Sequence, residues 1–68
     1  GSMEMMVAGI ERAIEAGRIL PRDPRPLAHL LFGAICEIAS VVARAPDQRA
    51  ALRSGVAELG AVLRALAV

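Results

Sequence analysis

The chain has 68 residues and a net charge of +1, room for one small domain and no electrostatic case for nucleic acid or an acidic membrane surface. It is 56% apolar, more than a monomer of this size can hide when only about 60% of the unfolded surface is buried on folding. Self-association, a further part of the protein or a membrane must take up the remainder, and the first two fit best.

The single Cys36 excludes an internal disulfide, and one Cys with one His builds no zinc site. No metal or other cofactor is expected, and a reducing, cytoplasmic setting fits. Ala is abundant while Trp, Tyr, Thr and Asn are absent, which favours helix and leaves little strand-forming material. The fold class is all-α. Gly1 to Met3 read as a cloning scar outside the fold, and residues 4–68 as a single helical domain.

The first helix is predicted over residues 4–16. Met6, Ile10, Ala13 and Ile14 share one face, and Glu4, Glu11, Arg12 and Glu15 fall mostly on the other. Gly17 follows, where a left-handed cap is least costly for a residue without Cβ. Gly9 stands mid-helix at a cost of roughly 1 kcal/mol relative to Ala, which marks it for close contact with another backbone. Pro21 then blocks continuation, Asp23 can cap the next helix, and Pro24 suits its first position.

The second helix, predicted over 24–45, organises the chain. Leu27, Leu31, Ala34, Ile38, Val41 and Ala45 recur at steps of four and three, lining one side. Ala28, Phe32, Ile35, Ala39 and Val42 repeat those steps one residue on. Only a thin strip of His29, Gly33, Glu37, Ser40 and Arg44 is polar or small. A helix apolar over most of its circumference needs protein on at least two sides, and the rest of the chain looks too small to supply both.

Pro46 ends this helix and Asp47 can cap a third, predicted over 47–67. There Leu52, Val56, Leu59 and Leu63 continue the four-three spacing, with Arg49, Arg53 and Arg64 opposite. So short a link forces an antiparallel hairpin of the last two helices. Gly33, Ala34, Ser40, Gly55 and Gly60 are small enough to let helices approach closely.

A catalytic reading fails on geometry. His29 and Cys36 are seven residues apart on one helix, roughly 10 Å along its axis, beyond the reach of a nucleophile and its base. The chain is read as no enzyme. Cys36 reads as a small packed hydrophobe. Glu37, central in an apolar helix, calls for a cationic partner such as Arg53, Arg64 or a group from a second chain. His29 and Glu37 also weigh against a spanning helix, since each is costly at bilayer depth.

The stretch RAIEAGRI followed by DPRPLAHLLFGAICEIA resembles the C-terminal half of TetR/AcrR-family bacterial transcriptional regulators. The resemblance rests on Ala16, Gly17, Arg18, Asp23, Pro24, Leu27, Ala28, Leu30, Leu31, Gly33, Ala34, Glu37 and Ala39, with Leu52, Val56, Leu59 and Leu63 in the last helix. It implies a homodimer in which the last two helices of each copy form a four-helix bundle. It also implies a helix-turn-helix that binds operator DNA and a pocket for a small-molecule effector. The helix-turn-helix is not among these residues.

The expectation is therefore the dimerisation portion of a TetR-like repressor. Its contact stripes are Leu27, Leu31, Ala34, Ile38 and Val41 on the central helix, and Leu52, Val56, Leu59 and Leu63 on the last. The sequence does not decide which stripe faces inward and which faces the mate. The alternatives are a free-standing helical interaction module and a small membrane-associated helical protein.

Overall fold

The computed structural model describes residues 1–68. It contains α1 (Ser2–Glu15), α2 (Pro24–Arg44) and α3 (Gln48–Leu66), and no strand. Ser2 and Met3, set outside the fold on sequence grounds, are helical, and Met3 packs against the core. Methionine brings apolar area to the end of α1, and an exposed helix start can leave its first amides to solvent.

Local chemistry sets each boundary. At the end of α1 the Arg18 amide donates to the Ala13 carbonyl at 2.9 Å and the Gly17 amide to Ile14 at 3.0 Å. These are the paired bonds of a Schellman cap, and Gly17 supplies the required left-handed residue at φ +74. Asp23 Oδ1 accepts from the Arg25 amide at 3.1 Å, and Pro24 opens α2 where no amide hydrogen is needed. Pro26 also sits within the first turn, among amides without an intrahelical partner. Arg25 is helical although a residue that precedes proline is ordinarily biased away from helical angles.

Ala45 turns extended ahead of Pro46, and Asp47 Oδ1 accepts from the Ala50 amide at 3.1 Å. The Gln48 side-chain amide donates to the Ala43 carbonyl at 3.2 Å, tying the last turn of α2 to the first of α3. The hairpin closes over residues 45–47.

The helices form one layer, 41 × 26 × 13 Å, with α2 in the middle. A helix with its side chains is about 10–12 Å across, so the layer is one helix thick. Backbones of α1 and α3 nowhere approach within 8 Å. Their link is at one end, where Ile19 bridges Ala67 and the Val68 amide donates to the Arg18 carbonyl at 2.9 Å.

The core is Val7 and Ile10 of α1 with Leu27, Ala28 and Leu31 of α2, joined by half-buried Met3, Met6, Ile14 and Leu66. Central α2 thus finds a neighbour on each side within its own chain, against the sequence expectation. Cover by α1 is partial, because 14 residues against 21 give about 21 Å against 31 Å of helix. No ion pair links one helix to another, the sole pair being the N-terminal ammonium with Glu4. Apolar contact joins the faces of the helices, with hydrogen bonds between elements only at their ends.

Gly17→Ala should lower stability by about 1–2 kcal/mol, the cost of Cβ in a left-handed residue. A Cβ added to Gly33 would meet no atom within 4 Å, so Gly33→Ala should raise stability by about 1 kcal/mol through helix propensity. Urea midpoints at one protein concentration check both.

Candidate association surface

The seam between α2 and α3 is set by one contact. A Cβ added to Gly55 would stand 2.6 Å from Ile38 Cγ2, so the missing side chain lets Ile38 press on the α3 backbone. Grooves open on either side of this seam. One, about 320 Å³, is lined by Ile35, Ile38, Ala39, Val42, Leu52, Gly55, Val56 and Leu59 and carries no charge. The other, about 420 Å³, adds Glu37, Val41, Ala51, Ser54 and Glu58 to the seam residues Ile38, Val42 and Gly55. The hairpin has an apolar side and an acidic side.

The nine residues expected to carry association divide into three groups. Leu27 and Leu31 are buried in the chain's own core. Ile38 and Leu59 are half-buried at or beside the seam. Ala34, Val41, Leu52, Val56 and Leu63 are exposed, Leu52 and Val56 by 52% and 59%. Leu52 and Val56 line the apolar groove while Val41 lies on the acidic side. A single stripe of α2 therefore does not form one surface.

Ile35, Ala39, Val42 and Gly55 complete the apolar side and were not among the expected contacts. Ile35, Ala39 and Val42 belong to the second four-three series of α2, which was the available signal. For Gly55 the signal was its smallness alone. Gly33, also small, meets no neighbour, and Gly60 meets only Arg64 of its own helix. Gly9 has no close backbone near it either; it lines a cleft of about 270 Å³ between α1 and α3 above Leu31.

The chemistry-bearing side chains do not converge. His29, Cys36 and Glu37 are all exposed, and no three His, Cys, Asp or Glu residues lie close enough to hold a metal ion. Glu37 has no cationic partner; it faces the acidic groove with Glu58. Cys36 is exposed, not packed.

The unburied apolar area is large. Surface scaling gives about 4,100 Å² for a compact monomer of this mass, whereas the chain exposes 4931 Å² at 7.1 kDa. The chain therefore exposes roughly 800 Å² more total surface than a compact monomer of its mass. No residue of α3 is buried, although it carries Leu52, Val56, Val62 and Leu63. Helix α2, with mean hydropathy 1.8 over its best window, is long and apolar enough to cross a membrane by length and composition. It has Glu37 in its middle, costly at bilayer depth, while only 17% of that window is buried within the chain.

The chain is an all-helical layer with one open apolar side along the α2–α3 hairpin. Over residues 1–66 the chain matches the family described as the tetracyclin repressor-like C-terminal domain, and it belongs to that family. Domains of this kind are parts of transcription regulators. No curated protein and no solved structure matches the chain.

Gly55→Ala should destabilise the chain, because overpacking of about 1–3 kcal/mol exceeds the helix-propensity gain of about 1 kcal/mol. Ile38 is β-branched and stiff in a helix, so it cannot swing aside. Ile38→Ala should remove the clash, so that the double variant is more stable than the sum of the singles by about 1 kcal/mol or more. Urea unfolding of the four chains closes the cycle.

Proposed function

We propose that these residues are the dimerisation portion of a TetR-like transcriptional repressor, joined to its mate through α2 and α3 in a four-helix bundle. The observation that carries this reading is α3, which lies along one edge of the layer and buries none of its residues. A helix with four exposed large apolar residues is stable in water only with a second apolar surface. A second copy brings that surface by symmetry, and closed two-fold pairs are the commonest oligomers.

In this reading the chain is a protein-binding element without chemistry of its own, working in the cytoplasm. Operator DNA is bound by a helix-turn-helix domain outside these residues. A small-molecule effector acts on the full-length regulator, and changes at the dimer contact pass to the DNA-reading heads as a change in their spacing.

Sedimentation equilibrium across a dilution series in plain buffer should give twice the 7.1 kDa chain mass, with helical circular dichroism at each concentration. A well-folded monomer throughout would overturn the reading. Stability should also rise with protein concentration, because association favours the folded state by mass action.

A further inference from the structure

We infer that the mate sits on the apolar side of the α2–α3 hairpin, the side of Ile35, Ala39, Leu52 and Val56, and that the side of Glu37 and Glu58 faces solvent in the dimer. The inference rests on the dimer reading above and specifies which of two available surfaces is used. Both sides flank the same seam, Ile38 on Gly55, and both open grooves of similar size. Size therefore does not choose between them.

Charge does. A two-fold contact places a surface against its own copy. With the acidic sides together, Glu37 and Glu58 of both copies would crowd one seam as four carboxylates. Neither carboxylate has an ion-pair partner in the chain to offset that repulsion. Bringing like charges together in a partly desolvated contact is unfavourable on two counts, repulsion and lost hydration.

With the apolar sides together, no charge enters the groove. Arg49 and Arg53 do not line the groove and are exposed; Arg49, three residues before Leu52, lies at the start of α3 on the same face, where its long side chain can extend to solvent. Leu52 and Val56 project from α3 beside the groove and are about half exposed, apolar area that a second copy would cover.

The test begins with the mass of the unmodified chain, then compares substitutions on the two sides. Val56→Asp should reduce the mass to that of a single chain, and Ser54→Asp, on the acidic side, should leave the dimer intact. Because Val56→Asp could also weaken the fold, thiol labelling supplies an independent reading in a Cys36→Ser background. Ala39→Cys and Ser54→Cys both place a thiol at an exposed position of the single chain. Concentrating the protein into the dimer should slow labelling of Ala39→Cys by about tenfold or more while Ser54→Cys stays unchanged.

Protection of Ser54→Cys with Ala39→Cys free, or protection of neither, in a chain of dimeric mass would overturn the choice of side and leave dimerisation standing. Masses that climb past the dimer with concentration would overturn the two-fold contact. A monomeric unmodified chain would overturn both readings.

Discussion

Everything in this structure depends on a layer one helix thick. A single layer of helices has two broad sides, and this chain has nothing to put over either. Complete burial of a Val, Leu or Ile side chain is worth about 1.5–3 kcal/mol. Ile35, Leu52, Val56 and Leu63 are 42–59% exposed, so a substantial part of that is forgone at each. Summed, the shortfall is of the same order as the ~3–10 kcal/mol that per-residue averages allow a domain of this length. On the dimer reading proposed above, association is then part of what makes the fold, as in dimers whose protomers have little independent stability.

The layer divides along its length. At one end α1 lies on α2, and Val7, Ile10, Leu27, Ala28 and Leu31 form the whole buried core. Bonds from the Schellman cap and from Val68 to Arg18 tie that end together. Toward the other end α1 has run out, and the hairpin is held by Ile38 on Gly55 and by the closed turn at 45–47. Two tasks are separated in this way: the first end supplies the chain's own core, and the second presents apolar surface outward. Leu27 and Leu31 illustrate the division. They share the four-three stripe of Ile38, yet they are consumed by α1, so the stripe changes role partway along one helix.

Helix ends were legible because their causes are local. Gly17, Asp23, Pro24, Pro46 and Asp47 each act within a few residues, through a left-handed residue, a capping carboxylate or a missing amide hydrogen. The antiparallel hairpin followed from so short a link. The contact surface was less legible because α2 is apolar on two adjacent stripes, and periodicity ranks them equally. What separates them is tertiary: the length of α1, which decides where cover stops, and Gly55, which decides where α3 sits. Glu37 shows the same limit. An apolar helix around it implied burial and a cationic partner, but a layer this thin leaves that side open, and the carboxylate remains hydrated without one.

That hydrated carboxylate also bears on the two environments compatible with so apolar a helix. By length and mean hydropathy α2 suits a bilayer as well as a protein interior. In a bilayer every side of the helix meets hydrocarbon, so Glu37 at mid-length would have to be neutralised or paired, and Glu58 beside the same groove is an acid too. In a two-fold bundle only one side of the hairpin is covered, and both acids stay on the side that water reaches. The distribution of charge around the seam, more than the hydropathy of α2, is what favours a protein partner, and membership in a regulator domain family agrees with it. Adding a cation opposite Glu37 would halve the net charge of the acidic side and so weaken its repulsion of its own copy. On the dimer reading proposed above, the two carboxylates, by repelling their own images, disfavour stacking through the acidic side and leave the apolar side to the mate.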